Sequence, residues 1–150
     1  MPTRKSMELP DDIYTRIEHL SEQGNLKLDD GNFEGALVSW REALALLPEP
    51  KQNWEAAVWL YASIGDASYQ SGDYAAAKDA MFDALNCPAG IENPFVHYML
   101  GKALLHMEDE RALEYLLRAY MLDGEEIFDS DEEEGPDALR ALQDKGLIDE

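Results

Sequence analysis

Only one cysteine, Cys87, occurs in the 150 residues. An internal disulfide is therefore excluded, and a lone thiol suits a reducing cytosol, the compartment expected here. No apolar run approaches the length needed to cross a bilayer. The start, MPTRKSMELPDD, has two early basic residues but no apolar stretch after them, so no secretory signal is expected. Basic residues are scarce: 12 Lys and Arg face 32 Asp and Glu, a net charge of −20. That field would repel nucleic acid and anionic membrane, which argues against both as partners. It favours a basic polypeptide, or a solubility role alone.

Catalytic signatures are also missing. There is no Gly-rich phosphate loop, no HExxH, no CxxC and no GxSxG. The histidines are His19, His97 and His106. The last two are nine apart, which does not place them on one helix face, so no metal site and no cofactor are expected. Cys87 stands beside Pro88 with no His or Lys close in sequence to activate it, and reads as a plain thiol. An enzyme built on His97 or His106 with Glu108 or Asp109 is the weakest reading. No enzymatic activity is expected.

What is present is a repeat. Three segments align: Ile17 to Pro48, Val58 to Pro88 and Pro94 to Leu122. Gly24 leads to Ala36 and Gly65 to Ala77, both twelve residues on, and Gly101 to Ala112, eleven on. Seven residues after each alanine comes another: Ala43, Ala84 and Ala119. Between them stands a larger residue, Trp40, Met81 or Leu116. This is the pattern of a helical hairpin. Glycine on the first helix and alanine on the second permit close approach, and the larger residue is expected to plug the neighbouring hairpin. The turns DDGNFEG and QSGDYAA carry stop and start signals: Gly ends one helix, and Asn32 or Asp73 caps the next. One hairpin cannot cover its own apolar face, so copies must stack.

The skeleton Leu20, Gly24, Gly31, Phe33, Ala36, Trp40, Ala43, Pro48 resembles the tetratricopeptide repeat (TPR). So does Tyr61, Ile64, Gly65, Gly72, Tyr74, Ala77, Met81, Ala84, Pro88. The third copy, Leu100, Gly101, Leu104, Ala112, Leu116, Ala119, lacks the turn glycine and the terminal proline. The resemblance covers roughly residues 12 to 122. It implies an all-α fold of three hairpins, over about 11–48, 51–88 and 94–122, stacked as a short right-handed superhelix behind a lead at 1–10. The step from Gly24 to Gly65 is 41, seven more than the 34 of the family. The simplest account of the excess, KQNWEAA, is a first helix of the second repeat extended at its start, with Trp54, Val58 and Tyr61 on one face.

The tail from Asp123 to Glu150 holds twelve acids and two bases, a net of −10. SDEEEG reads as solvated loop. PDALRALQDKGL reads either as a capping helix over about 136–146 or as part of a disordered acidic tail.

In the family, fixed positions of the first helix line a concave groove. Carried over, these are Glu18, Ser21, Asn25, Leu28 and Asp29, then Trp59, Ala62, Asp66, Tyr69 and Gln70, then Phe95, Tyr98, Lys102, Leu105 and His106. The partner-binding set expected from them is Glu18, Asn25, Asp29, Trp59, Asp66, Tyr69, Gln70, Phe95, Tyr98, Lys102 and His106. Any one aromatic here is as well explained by packing between repeats; as a cluster they read as a binding surface with a polar rim. Repeats that grip a chaperone tail by its carboxylate carry Lys-x-x-x-Asn on the first helix. Here Asn25 matches, but Ser21 stands in place of the lysine, so an acidic tail is disfavoured. The reading is a protein-binding module for a basic protein. The segments NPFVHYMLGKAL and ALEYLLRAYMLDGEEIF further resemble small bacterial repeat proteins encoded beside polymorphic toxins. That resemblance implies an immunity factor covering a basic toxin domain. The alternative is a secretion chaperone holding an unfolded effector segment. The oligomeric state is not legible.

Overall fold

The computed structural model describes residues 9–149. Six long helices form three antiparallel pairs: α1 (Asp11–Asp29) with α2 (Phe33–Ala45), α3 (Glu55–Gln70) with α4 (Tyr74–Leu85), and α5 (Pro94–His106) with α6 (Ala112–Asp123). Then come a short α7 (Glu126–Asp129) and α8 (Gly135–Asp144). No strand occurs among the described residues. The all-α hairpin stack expected from the repeat is the fold of the chain.

Each turn is built the same way. Gly31 and Gly72 sit at φ +78° and +88°, and the amides after them reach back to the carbonyls of Lys27 and Ser68. This is a helix stop that needs a left-handed residue. Asn32 Oδ1 then accepts from Gly35 N at 2.9 Å, and Asp73 Oδ1 from Ala76 N at 3.1 Å, so both capping assignments hold. The third turn keeps the geometry without the glycine. Glu108 takes φ +56°, and Asp109 N reaches Leu104 O at 2.9 Å.

The small-residue stripe does what its spacing requires. Ala36, Ala43, Ala77, Ala84, Ala112 and Ala119 are all buried. The larger residues Trp40, Met81 and Leu116 each lie over the glycine of their own hairpin, and Trp40 and Met81 also belong to buried clusters that include residues of the next hairpin. A Cβ on Gly65 would meet Met81 Cε at 2.7 Å, one on Gly101 would meet Leu116 Cγ at 2.7 Å, and one on Gly24 would run into the Trp40 indole. The hydrogen of glycine is what leaves room for them.

The seven-residue excess is also corrected. It is not two added helical turns. Pro48 and Pro50 interrupt the chain, Lys51–Asn53 forms one 3-10 turn, and α3 starts only at Glu55. Lys51 Nζ donates to the carbonyls of Leu44 and Leu47 at 3.0 and 2.8 Å, closing the end of α2. Trp54 Nε1 donates to Pro48 O at 2.8 Å, which fixes the ring at the mouth of α3.

The tail packs back on the last hairpin through α7 and α8. Phe128 is 1% exposed and meets Tyr98 edge-on, with centroids 5.1 Å apart. Ala138 and Leu142 of α8 are buried in the same cluster as Leu100, Leu104 and Leu116. The amphipathic α8 thus covers the apolar end of the last hairpin. It runs from Gly135 to Asp144, and Gly135 lies so close to the Phe128 carbonyl that a Cβ there would collide with it.

Candidate functional site

The residues carried over to a groove fall into two unlike regions. At the first repeat, Glu18, Asn25 and Trp59 line one open cavity of about 360 Å³ together with Ser21 and Glu22. Trp59 is 42% exposed. Its other side faces a larger cavity of about 710 Å³, lined by Leu9, Asp11, Tyr14, Asn53, Trp54, Glu55 and Ala56. Helices α1 and α3 supply the walls, and the inter-repeat insertion supplies Asn53 and Trp54. Among the described residues, Asp11, Glu18, Glu22 and Glu55 form no ion pair.

At the third repeat the tail fills part of the expected groove, taking up Tyr98 and Lys102 and leaving a cavity of about 210 Å³ lined by Tyr69, Lys102, Leu105, His106, Glu134, Asp137 and Ala138. Lys102 Nζ lies 2.6 Å from Asp131 Oδ2 and 3.3 Å from Glu134 Oε1. The Tyr98 hydroxyl donates to Asp131 at 2.7 Å, and that of Tyr69 to Glu134 at 2.5 Å. His106 Nε2 is 2.7 Å from Glu134 Oε2, and its ring stacks on Tyr74 at 4.1 Å. The Lys102 ammonium also lies 4.6 Å from the centre of the Tyr69 ring and 5.0 Å from that of Tyr98. Tyr98 and Lys102 are consequently buried. The one lysine of the expected set faces inward, held by carboxylates of its own tail.

Protonation follows from this packing. Burial pushes the Tyr69 and Tyr98 phenols far above their ordinary value, and their hydrogen bonds to Glu134 and Asp131 add to it. Burial alone would raise Asp131 and Glu134. Hydrogen bonds from Lys102 and Tyr98 outweigh it at Asp131, and bonds from Tyr69 and His106 outweigh it at Glu134. Both carboxyls end below their usual range. Asp66, half-buried between the two regions, is pushed up by burial against a Gln70 hydrogen bond and the Lys102 charge.

The remaining candidates are dispersed. Asp29 and Gln70 are exposed near the turn ends of α1 and α3, and Phe95 lies at the opposite end, at the start of α5. His97 is buried, with Nε2 2.7 Å from Ile91 O. Asp109 pairs with Arg111 at 2.8 Å, and His106 pairs with Glu134. Cys87 is buried, and burial pushes its thiol up, the wrong direction for a nucleophile. Among the described residues, no group of three or more His, Cys, Asp and Glu is placed to hold a metal ion, and no helix is long and apolar enough to cross a membrane.

Sequence reasoning missed Tyr14, Glu22 and Trp54 as cavity walls. It also missed Asp131 and Glu134 as occupants. The available signal for the tail was Ile127-Phe128, an apolar pair in an otherwise acidic stretch, which needed something to bury it.

No family model matches the sequence, and no curated protein matches it either. Solved structures do match its fold. One is the first TPR module of Spaghetti (RPAP3) bound to the HSP90 peptide SRMEEVD, with TM-score 0.67 and 16% identity over 89% of this chain and 98% of that one. Two crystal structures of MamA match with TM-scores of 0.61 and 0.60, at 18% and 17% identity. They align over 88% and 89% of this chain and 81% and 77% of theirs. The chain therefore has a fold of the TPR type.

Proposed function

We propose that the chain is a non-catalytic module that binds a basic protein through the open half of its concave face. The observation that carries this is Trp59: an exposed indole between two cavities whose rims hold Glu18, Glu22, Asp11 and Glu55. An aromatic anchor desolvates well, and carboxylates that form no ion pair among the described residues attract and orient a cationic partner. The Spaghetti module holds an acidic peptide. In this chain acidic residues of its own tail occupy the third-repeat region, and the face left open has the opposite preference.

The finer reading is an immunity protein that neutralises a bacterial toxin by covering its basic cleft. It is supported by the net charge of −20 and by the sequence resemblance of the third repeat. The alternative, a secretion chaperone, shares the face but binds an extended segment.

The test is affinity capture from the native host with wild-type and Trp59→Ala protein, at low and at high salt. A basic partner that is lost at high salt, and lost with Trp59→Ala, supports the reading. An acidic partner, or one held equally by the variant, overturns it. A short partner-derived peptide that binds as tightly as the whole protein selects the chaperone.

A further inference from the structure

The geometry points to an arginine-binding box at the head of the open face, between the starts of α1 and α3. Its walls are three aromatic rings, Tyr14, Trp54 and Trp59, and its acids are Asp11 and Glu55. The inference rests on the proposal of a basic partner and names the side chain that partner inserts.

The box exists because of the insertion. A repeat step of ordinary length would bring α3 directly after Pro50, with neither Trp54 nor Glu55 beside α1. Here the 3-10 turn at Lys51–Asn53 carries the chain across, and the bond from Trp54 Nε1 to Pro48 O holds that ring in place. Tyr14 is 51% exposed, so two large rings, Tyr14 and Trp59, offer surface to solvent at the mouth of one cavity.

The chemistry of the lining selects the occupant. An apolar side chain would bury Asp11 and Glu55 without partners, and an anionic one would be repelled by them. A cation satisfies both the carboxylates and the ring faces. Between the two basic side chains, arginine fits better. Its planar, weakly hydrated guanidinium stacks on an indole while its edge bonds a carboxylate, and a compact ammonium cannot do both. Trp59 is shared with the next cavity, so a chain leaving the box runs over Glu18, Glu22 and Asn25. The occupant is thus an arginine in an extended or protruding basic segment of the partner.

The probe is a set of three blocked pentapeptides, Gly-Xaa-Gly-Xaa-Gly with arginine, lysine or glutamate at Xaa, titrated into the full chain. The readout is the indole N–H resonances of Trp40, Trp54 and Trp59. The expected result is that the arginine peptide shifts Trp54 and Trp59 but not buried Trp40, with the lysine peptide about fivefold weaker and the glutamate peptide silent. Asp11→Asn with Glu55→Gln is expected to weaken arginine binding about tenfold, whereas Glu132→Gln with Glu133→Gln, the same charge change made elsewhere, leaves it unaltered. Equal binding of arginine and lysine peptides, with both double variants weakened alike, overturns the box yet leaves the basic-partner reading standing. Movement of the indoles on changing Arg4 and Lys5 to Ser, with no peptide added, also overturns it, by assigning the box to this chain's own lead. No indole shift with any peptide overturns the box as well; the basic-partner reading is then decided by the capture experiment.

Discussion

Lys102 and Asp131 are joined across twenty-nine residues by a contact of 2.6 Å, and the lysine side chain is only 8% exposed. This pair ties the tail to the third hairpin. Removing one member of a buried pair leaves the other charge poorly solvated. Asp131→Asn should therefore cost about 2 kcal/mol in urea denaturation, softened by the second contact to Glu134. Cleavage of the 130–134 loop by added protease should quicken in parallel.

Acidification should loosen the same region. Asp131 and Glu134 have lowered pKa values, so the stability they contribute is fully present above their unfolded values near 4 and is lost as pH falls through the folded ones. Asp66 runs the other way. Its raised pKa means that its charge costs stability at neutral pH, and protonation relieves the cost. Thermal midpoints from about pH 6 to pH 2.5 should fall for the wild type, and fall less for Asp131→Asn with Glu134→Gln.

Two substitutions that look alike should differ. Gly24→Ala places a methyl against the Trp40 indole, which is rigid and donates to Ser21 O at 3.2 Å. Gly65→Ala meets the flexible end of Met81. The first should cost about 2 kcal/mol and the second less than about 1 kcal/mol. Adding Trp40→Leu to Gly24→Ala should recover part of the first loss, measured as a double-mutant cycle.

Glu108 holds the left-handed position that Gly31 and Gly72 hold in the other turns. A side chain there costs about 1 kcal/mol, partly offset because glycine has more freedom to lose on folding. Glu108→Gly should thus raise stability by about 0.5 kcal/mol, read as a higher urea midpoint at unchanged slope.

Much of the hairpin stack was legible because its signals are local. Gly31, Asn32, Gly72 and Asp73 act within one turn, and the alanine stripe acts within one helix pair. The groove was legible only in part. Tyr69 and Glu134 are sixty-five residues apart, and Tyr98 and Asp131 thirty-three, so no local pattern could show that the tail's acids enter the third repeat. Their acidity read as solvated loop because charge runs usually are. The insertion misled for a different reason. Seven residues match two helical turns in number, but Pro48 and Pro50 deny the helix its amide donors, and Lys51 finds a better use closing α2.

Helix α8 and the residues that quench Lys102 belong to one continuous strap. Splicing another unit in after Asp123 would displace the strap and, with it, the counter-charges of that lysine. Array length and groove polarity are consequently coupled in this molecule: neither can be re-engineered alone. A longer derivative would need a fresh acid pair wherever its new end is sealed.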